Sequence, residues 1–164
     1  MSESAKLDKI DIKILSELQK NGRITNVDLA DVVGLSPSPC LTRVKRLEKA
    51  GYITGYGAQL QLRKLGDVLL VFTEVTLSDH RHDDFSRFEN AIRNVAEIVE
   101  CHLVSGGYDY LLKFMTNGVN HYQNVIEGLL ERKIGIEKYF SYIVIKSPFV
   151  KYHYPIERLF GHKD

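Results

Sequence analysis

Residues 25–51 read TNVDLADVVGLSPSPCLTRVKRLEKAG, two short amphipathic helices joined by a glycine turn, the second of them basic. A chain with this stretch has to build a small helical domain that leaves one basic helix face free. Thr25 suits the cap of the first helix through its hydroxyl, Asp28 answers three residues on as a short capping box, and Leu29, Val32 and Val33 supply an apolar face. Gly34 tolerates the left-handed conformation that ends a helix, and with Leu35 behind it the turn is tight rather than flexible. Ser36 is a good cap for the second helix, and Pro37 fits its first position, where no amide partner is lost.

In that second helix Leu41, Val44 and Leu47 recur at helical spacing and are expected to pack, which leaves Ser38, Thr42, Arg43, Lys45, Arg46 and Lys49 toward solvent or a partner. Pro39 falls in the first turn and stiffens it. Residues 36–51 carry Arg43, Lys45, Arg46 and Lys49 against Glu48, a net +3, while the whole chain is only +1. Residues 1–60 hold nine Lys and Arg and seven Asp and Glu; the remainder holds thirteen and fourteen. The positive charge is therefore local, as phosphate contacts require. An ordinary helical hairpin with a solvated charged face is the competing reading. Cap, turn, spacing and charge together favour a helix presented to a DNA groove. The expected DNA-facing residues are Thr25, Asn26, Ser36, Ser38, Pro39, Thr42, Arg43, Lys45, Arg46 and Lys49. Lys45 and Lys49 would meet phosphates, and Ser38, Thr42 and Arg43 would meet bases, Arg43 through bidentate pairing with guanine.

At 164 residues and 44% hydrophobic content the chain has room for one ordinary domain or two small ones with real cores. It has no run of about 18 apolar residues and no apolar region at its start, so neither a membrane span nor an export signal is expected, and a cytoplasmic location follows. Cys40 and Cys101 lack the spacing of a zinc site and the density of a disulfide scaffold, and are read as buried small residues. Upstream of the hairpin, Leu7, Ile10, Ile14, Leu15 and Leu18 form a helical stripe with Asp8 as cap and Asn21-Gly22 as stop. Ile12 falls off that stripe, as either a subunit contact or an isolated exposed apolar residue. After Gly51, YITGYGAQLQL reads as a short hairpin or extended segment, the wing of a winged helix. This places a winged helix-turn-helix domain at residues 1–60 and a joint at 61–66, with the second domain at 67–164.

The second domain reads as strand (68–77), a helix face of Phe85, Phe88, Ile92 and Val95, and strands over 98–105 and 108–116 with a tight hairpin turn at Gly106-Gly107. A helix marked by Tyr122, Val125, Ile126, Leu129 and Leu130 and a strand over 136–146 complete it. Two split βαβ halves of this kind make a ferredoxin-like βαββαβ sandwich, and the fold class is α+β. With both helices on one side, the other sheet face, whether Tyr110, Leu112 and Phe114 or their alternates, would stay apolar and bare. A dimer at least is expected.

The runs VGLSPSPCLTRVKRLEKAGYITGY and ECHLVSGGYDYLLK, in this order and spacing, closely resemble the leucine-responsive regulatory protein and asparagine-regulator (Lrp/AsnC, feast/famine) family of transcription factors, over residues 7–146. The resemblance implies a winged helix-turn-helix on double-stranded DNA, a connecting strand, and a C-terminal sensing and assembly domain. It implies dimers that associate into tetramers or octamers, and an amino-acid effector held between dimers near Val104, Ser105, Gly106, Gly107, Tyr108, Asp109 and Tyr110. Read on its own chemistry, that turn offers amides at Gly106 and Gly107 to a carboxylate, Asp109 to an ammonium group, and hydroxyls from Ser105 and the tyrosines. From the residues alone, a glycine hairpin with Asp109 as a turn residue and the tyrosines as sheet packing is the favoured reading; the resemblance is what turns the balance toward ligand binding. Tyr139, Ser141 or Tyr122 would line the opposite wall. The tail SPFVKYHYPIERLFGHKD departs from the family pattern, and a neighbouring subunit is the surface suggested for it.

Two other functions compete. A small ferredoxin-like enzyme would draw on His80, Arg81, His82, Asp83 and Asp84, but that cluster lies between strand and helix, where Asp83 or Asp84 caps and the histidines sit in solvent. His102 has no nucleophile placed near it. No catalytic residue, metal or cofactor is expected. A stand-alone sensor without specific DNA binding is disfavoured by the complete basic helix. The reading is a regulator of genes for transport or breakdown of an amino acid, with proline, leucine or another branched-chain residue, or an aromatic one as effector.

Overall fold

A computed structural model describes residues 7–161, which divide into two compact units: 7–59 with 149–161, and Leu60–Pro148. Helix α1 (Lys9–Lys20) opens the first unit with a complete capping box. The Asp11 amide donates to Asp8 Oδ1 at 2.8 Å and the Asp8 amide returns to Asp11 Oδ2 at 3.1 Å. Helix α2 (Asn26–Val33) is capped by Thr25, whose Oγ1 accepts from the Asp28 amide at 3.1 Å and donates to the Asp28 carboxylate at 2.6 Å. Asp28 thus answers through the hydroxyl rather than the Thr25 amide. Gly34 ends α2 in the left-handed region (φ 75°, ψ 37°), and Leu35 closes the turn onto the Ala30 carbonyl at 2.8 Å.

Helix α3 (Pro37–Lys49) follows at once, but Ser36 makes no side-chain cap bond. The reason lies in the next three residues. An N-cap hydroxyl oxygen accepts a hydrogen bond from the second or third helical amide, and Pro39 at the third position has no N–H to donate. The buried core of this unit is Ile14, Leu29, Ala30, Val33, Cys40 and Leu47, with Ile10, Leu18, Val44 and Ile53 around it. Cys40, not Leu41, begins the packed stripe of α3: Cys40 is fully buried and Leu41 is 42% exposed. Residues 52–61 carry no strand, so of the two forms expected for the wing, a short hairpin or an extended segment, the hairpin ladder is absent. Tyr56 ties it to α3 by donating to Glu48 at 2.8 Å; burial and that carboxylate push its phenol up to about 12.

The aromatic tail packs within this same unit. Gln19 donates through Nε2 to the Tyr154 carbonyl at 2.6 Å and accepts from the Tyr154 amide at 2.9 Å, and helix α6 (Ile156–Phe160) lies against α1. Two sequence expectations change accordingly. The tail belongs with the helical unit rather than the second domain, and Ile12 is buried, 6% exposed, instead of facing a subunit or solvent. Ile12, Leu15, Tyr52, Tyr154 and Phe160 line a cleft of about 760 Å³ there.

The second unit begins with a 3-10 turn at Leu62–Lys64. It continues as β1 (Leu69–Leu77), α4 (His82–Ile92), β2 (Ile98–Leu103), β3 (Tyr110–Thr116), α5 (Val119–Glu131) and β4 (Ile136–Ile143). The sheet order is β2-β3-β1-β4, antiparallel throughout, which is the ferredoxin-like arrangement. Alternation along the strands sorts the faces. Val71, Thr73, Val75 and Leu77 of β1 and Tyr110, Leu112, Phe114 and Thr116 of β3 are buried, and their apolar members share a core with Phe88 and Ile92 of α4 and with Tyr122, Ile126 and Leu129 of α5. Tyr122 reaches into this core with its hydroxyl satisfied, 2.8 Å from Thr73 Oγ1 and 2.5 Å from Ser141 Oγ. The alternates therefore form the uncovered face: half-buried Phe72, Leu111 and Met115, beside Phe140 at 57% and Tyr142 at 52% exposure.

Candidate nucleic-acid interface and effector turn

At about 100° per residue, Ser38, Thr42, Lys45 and Lys49 of α3 fall within roughly 60° of one another, and Leu41 flanks them. All five are exposed. Thr42 donates its hydroxyl proton back to the Ser38 carbonyl at 3.1 Å, so its lone pairs point outward as acceptors. Leu41, expected in the core from its spacing, is exposed instead. Asn26 is turned inward. Its Nδ2 donates to the Pro37 carbonyl at 2.8 Å and fixes the start of α3 against α2.

Arg43 departs most from the sequence reading. Its Nη1 lies 2.6 Å from Asp8 Oδ2 and 2.9 Å from Asp11 Oδ1, and Arg46 Nη2 lies 2.5 Å from Asp11 Oδ2. Asp11 is only 1% exposed, so the guanidiniums of α3 are anchored on a buried carboxylate of α1. Burial pushes the Asp8 carboxyl up, but the Asp11 amide and Arg43 outweigh it and hold it below its ordinary value; the bonds to Asp8 and Asp11 raise Arg43. The D-x-x-D spacing signals the α1 cap, but nothing in it signals that the same carboxylates receive α3.

In the second unit the link between β2 and β3 is a loop over residues 104–109, not a two-residue turn, closed by the Val104 amide on the Asp109 carbonyl at 2.9 Å. Ser105, Gly106 and Gly107 are exposed at its tip, with Gly106 at φ 153°. Asp109 and Tyr110 do not face outward as expected. The Asp109 carboxylate accepts from the Leu77 amide at 2.7 Å and stands 3.0 Å from His80 Nε2, so it seals the end of β1; His80 is exposed, as expected, and also engaged by that carboxylate. Tyr110 is 1% exposed and donates to Glu89 of α4 at 2.7 Å; burial first and then that carboxylate raise its phenol. Tyr108 and Val104 are half-buried. Of the residues suggested for the opposite wall, Tyr122 and Ser141 are bonded to each other, and Tyr139 is packed against the core. Arg81, not Asp83 or Asp84, stands at the N-cap of α4, its amide donating to Asp84 at 3.2 Å. Cys101 is exposed, against the expectation of burial; Cys40 is buried.

Among the described residues no helix is long and apolar enough to cross a membrane, and no group of three or more His, Cys, Asp or Glu is placed to hold a metal.

Residues 7–54 match the family model for a winged helix-turn-helix DNA-binding domain, and residues 70–153 match that for an Lrp/AsnC ligand binding domain. The chain is 50% identical over 141 residues to the leucine-responsive regulatory protein of Haemophilus influenzae, covering 86% of this chain and 85% of that one. It is 46% identical to the transcriptional regulatory protein DoeX of Halomonas elongata, over 87% of this chain and 90% of that one. A transcriptional regulator of Neisseria meningitidis, NMB0573, solved as an L-Met complex, superposes with a TM-score of 0.86 at 36% identity, covering 94% of this chain and 99% of that one.

Proposed function

We propose that this chain, which belongs to the Lrp/AsnC family of transcriptional regulators, reads duplex DNA with the Ser38, Leu41, Thr42, Lys45 and Lys49 face of α3 and is regulated by an amino acid held at the loop over residues 104–109. The family is one of transcription regulators, not of enzymes. The observation that carries the DNA reading is the separation of roles on α3: one flank is bound to α1 by Arg43 and Arg46, and the neighbouring face is exposed and basic. Lys45 and Lys49 meet phosphates there, and Ser38 and Thr42 stand toward base edges. Thr25, Ser36 and Pro39 border that face.

The effector's carboxylate would meet the exposed amides around Gly106 and Gly107. Asp109 holds the loop and is not the ammonium acceptor; Ser105 and Tyr108 remain the side chains beside it. The Neisseria regulator, solved with L-Met, and the Haemophilus relative, named for its response to leucine, support an aliphatic amino acid as the first candidate. The bare face of the sheet, with Phe72, Phe140 and Tyr142, would be covered by a second copy, so that heads come in pairs and a ligand between dimers changes their spacing. The targets would be genes for uptake or breakdown of that amino acid, and the protein would work in the cytoplasm.

A thermal-shift screen of the twenty amino acids on the full chain tests the sensing half. The effector raises the melting temperature of the wild type by mass action. It leaves Gly106→Ala unshifted, because that position needs a backbone conformation alanine rarely adopts. A flat screen of the wild type removes the effector reading, and equal shifts in both proteins move the site away from this loop.

A further inference from the structure

We propose that Asp11 is a positioning residue for DNA reading: with Asp8 it clamps Arg43 and Arg46 and thereby sets the rotation of α3 about its own axis, and Arg43 contacts no base. The geometry is complete on the carboxylate side. Asp11 Oδ1 accepts from Arg43 at 2.9 Å, and Asp11 Oδ2 accepts from Arg46 at 2.5 Å and from the Asp8 amide at 3.1 Å. Asp8 takes Arg43 on one oxygen and the Asp11 amide on the other. The capping box of α1 is thus also the seat of α3. Asp11 is 1% exposed, and a DNA phosphate or a guanine that drew Arg43 and Arg46 away would leave a buried charge with the Asp8 amide but no counter-charge, a strongly unfavourable outcome for such a group.

Placement on the helix agrees. Arg43 lies roughly 140° around α3 from Ser38, on the flank that turns toward the core, while Arg46 lies between that flank and the exposed face. Arg43 is 27% exposed and Arg46 is 47% exposed along the side chain, so Arg46 keeps free guanidinium nitrogens that reach solvent without releasing Asp11. Base readout depends on placement to within about 0.5 Å and 10–20°. Two guanidiniums on one carboxylate, three residues apart on the same flank, fix that angle where a single apolar contact would let the helix roll.

The signs of two effects make the proposal testable. On charge alone, Asp11→Asn removes a negative charge from a domain that meets phosphates and should strengthen binding to any DNA. If Asp11 positions α3, the variant instead loses selectivity. The experiment compares full-length wild type, Asp11→Asn, Arg43→Met and the double variant on two probes: a duplex enriched from a random library by the wild type, and a scrambled duplex of equal composition. The affinity ratio is measured across a salt series, at temperatures where circular dichroism shows each protein folded. The expected result is a ratio at least tenfold lower in Asp11→Asn, with scrambled-duplex binding unchanged or tighter. Arg43→Met gives a similar loss with an unchanged salt slope, and the double variant is no worse than either single one. An unchanged ratio in Asp11→Asn overturns the proposal, as does a salt slope reduced by about one in Arg43→Met, which would make Arg43 a phosphate contact. If Asp11→Asn does not fold, Asp8→Asn carries the test, because Asp8 is half-exposed and holds only one of the two arginines. A threefold or greater fall in the ratio then supports the clamp, and no fall overturns it.

Discussion

Tyr122→Phe should destabilise the sheet unit without touching any ligand, and the size of the effect follows from what its hydroxyl serves. That hydroxyl bonds two others: Thr73 Oγ1, on a residue with no solvent exposure, and Ser141 Oγ, on a residue open to water. Removing it lets Ser141 rebond to solvent at little cost, but leaves the Thr73 hydroxyl buried without this partner. A buried hydroxyl that loses its partner costs about 2 kcal/mol. For a chain of this length that corresponds to a fall of roughly 4–8 °C in melting temperature. The second half of the reasoning concerns the remedy. Thr73→Val removes the stranded group, so the double variant Tyr122→Phe with Thr73→Val should recover most of the loss, since replacing both partners by apolar isosteres is nearly neutral. Differential scanning calorimetry on the four proteins measures the cycle. Additive losses, or a Tyr122→Phe protein as stable as the wild type, would refute the buried network. The same proteins separate core from pocket: Tyr122→Phe should respond to the effector as the wild type does, because its hydroxyl points into the core beneath the sheet.

Lys45→Ala and Lys49→Ala should each weaken binding to selected and scrambled duplexes alike and lower the salt slope by about one, whereas Thr42→Val should cost about 1–3 kcal/mol at one base position; fluorescence anisotropy over a salt series reads both. Asp8 and Glu100 both sit below their ordinary values, Asp8 for the reasons given above and Glu100 chiefly through Lys113 at 2.6 Å. Their contribution is therefore complete above the unfolded values near pH 4 and is lost as the pH falls through the depressed folded ones. Chemical denaturation between pH 5 and pH 2, the interval set by those unfolded values, should show a shallower decline in Asp8→Asn than in the wild type. Cys101 should take up a thiol reagent in the folded protein and Cys40 only after unfolding, so intact mass shows one adduct and then two. Burial and then Glu89 raise the Cys101 thiol, so its labelling should speed up as the pH rises past 8, where a free thiol already ionises.

What could be read from sequence divides along a physical line. Period and punctuation are local, and they marked the caps at Asp8 and Thr25, the left-handed Gly34, and every strand and helix of the sandwich to within a few residues. The errors concern which side of an element a residue takes when several assignments satisfy the same period. Leu41 and Cys40 both fit the apolar stripe of α3, and packing chose the smaller one. Tyr110, Leu112 and Phe114 could have lain on either sheet face until the helices settled which one they cover. Polar pairings across long separations have no periodic signature at all. Asp11 with Arg43, Asp109 with Leu77 and His80, and Gln19 with Tyr154 are each 29 or more residues apart, and each took a residue out of the role its type suggested. Ser36 failed as a cap for a local reason that was legible all along, the missing amide at Pro39.

The bond between Gln19 and Tyr154 spans 135 residues, almost the whole polypeptide. Synthesis from the N-terminus makes the three helices first, and they bury Ile14, Leu29 and Leu47 from their own contacts, but the outer side of α1 is covered only when α6 is made. Until then Ile12 and Leu15 face water, and the sheet unit is synthesised in between as an insertion within the helical one. A nascent chain stalled before residue 149 therefore displays an apolar helix face that Tyr154 and α6 otherwise hide, the kind of exposed patch that invites association.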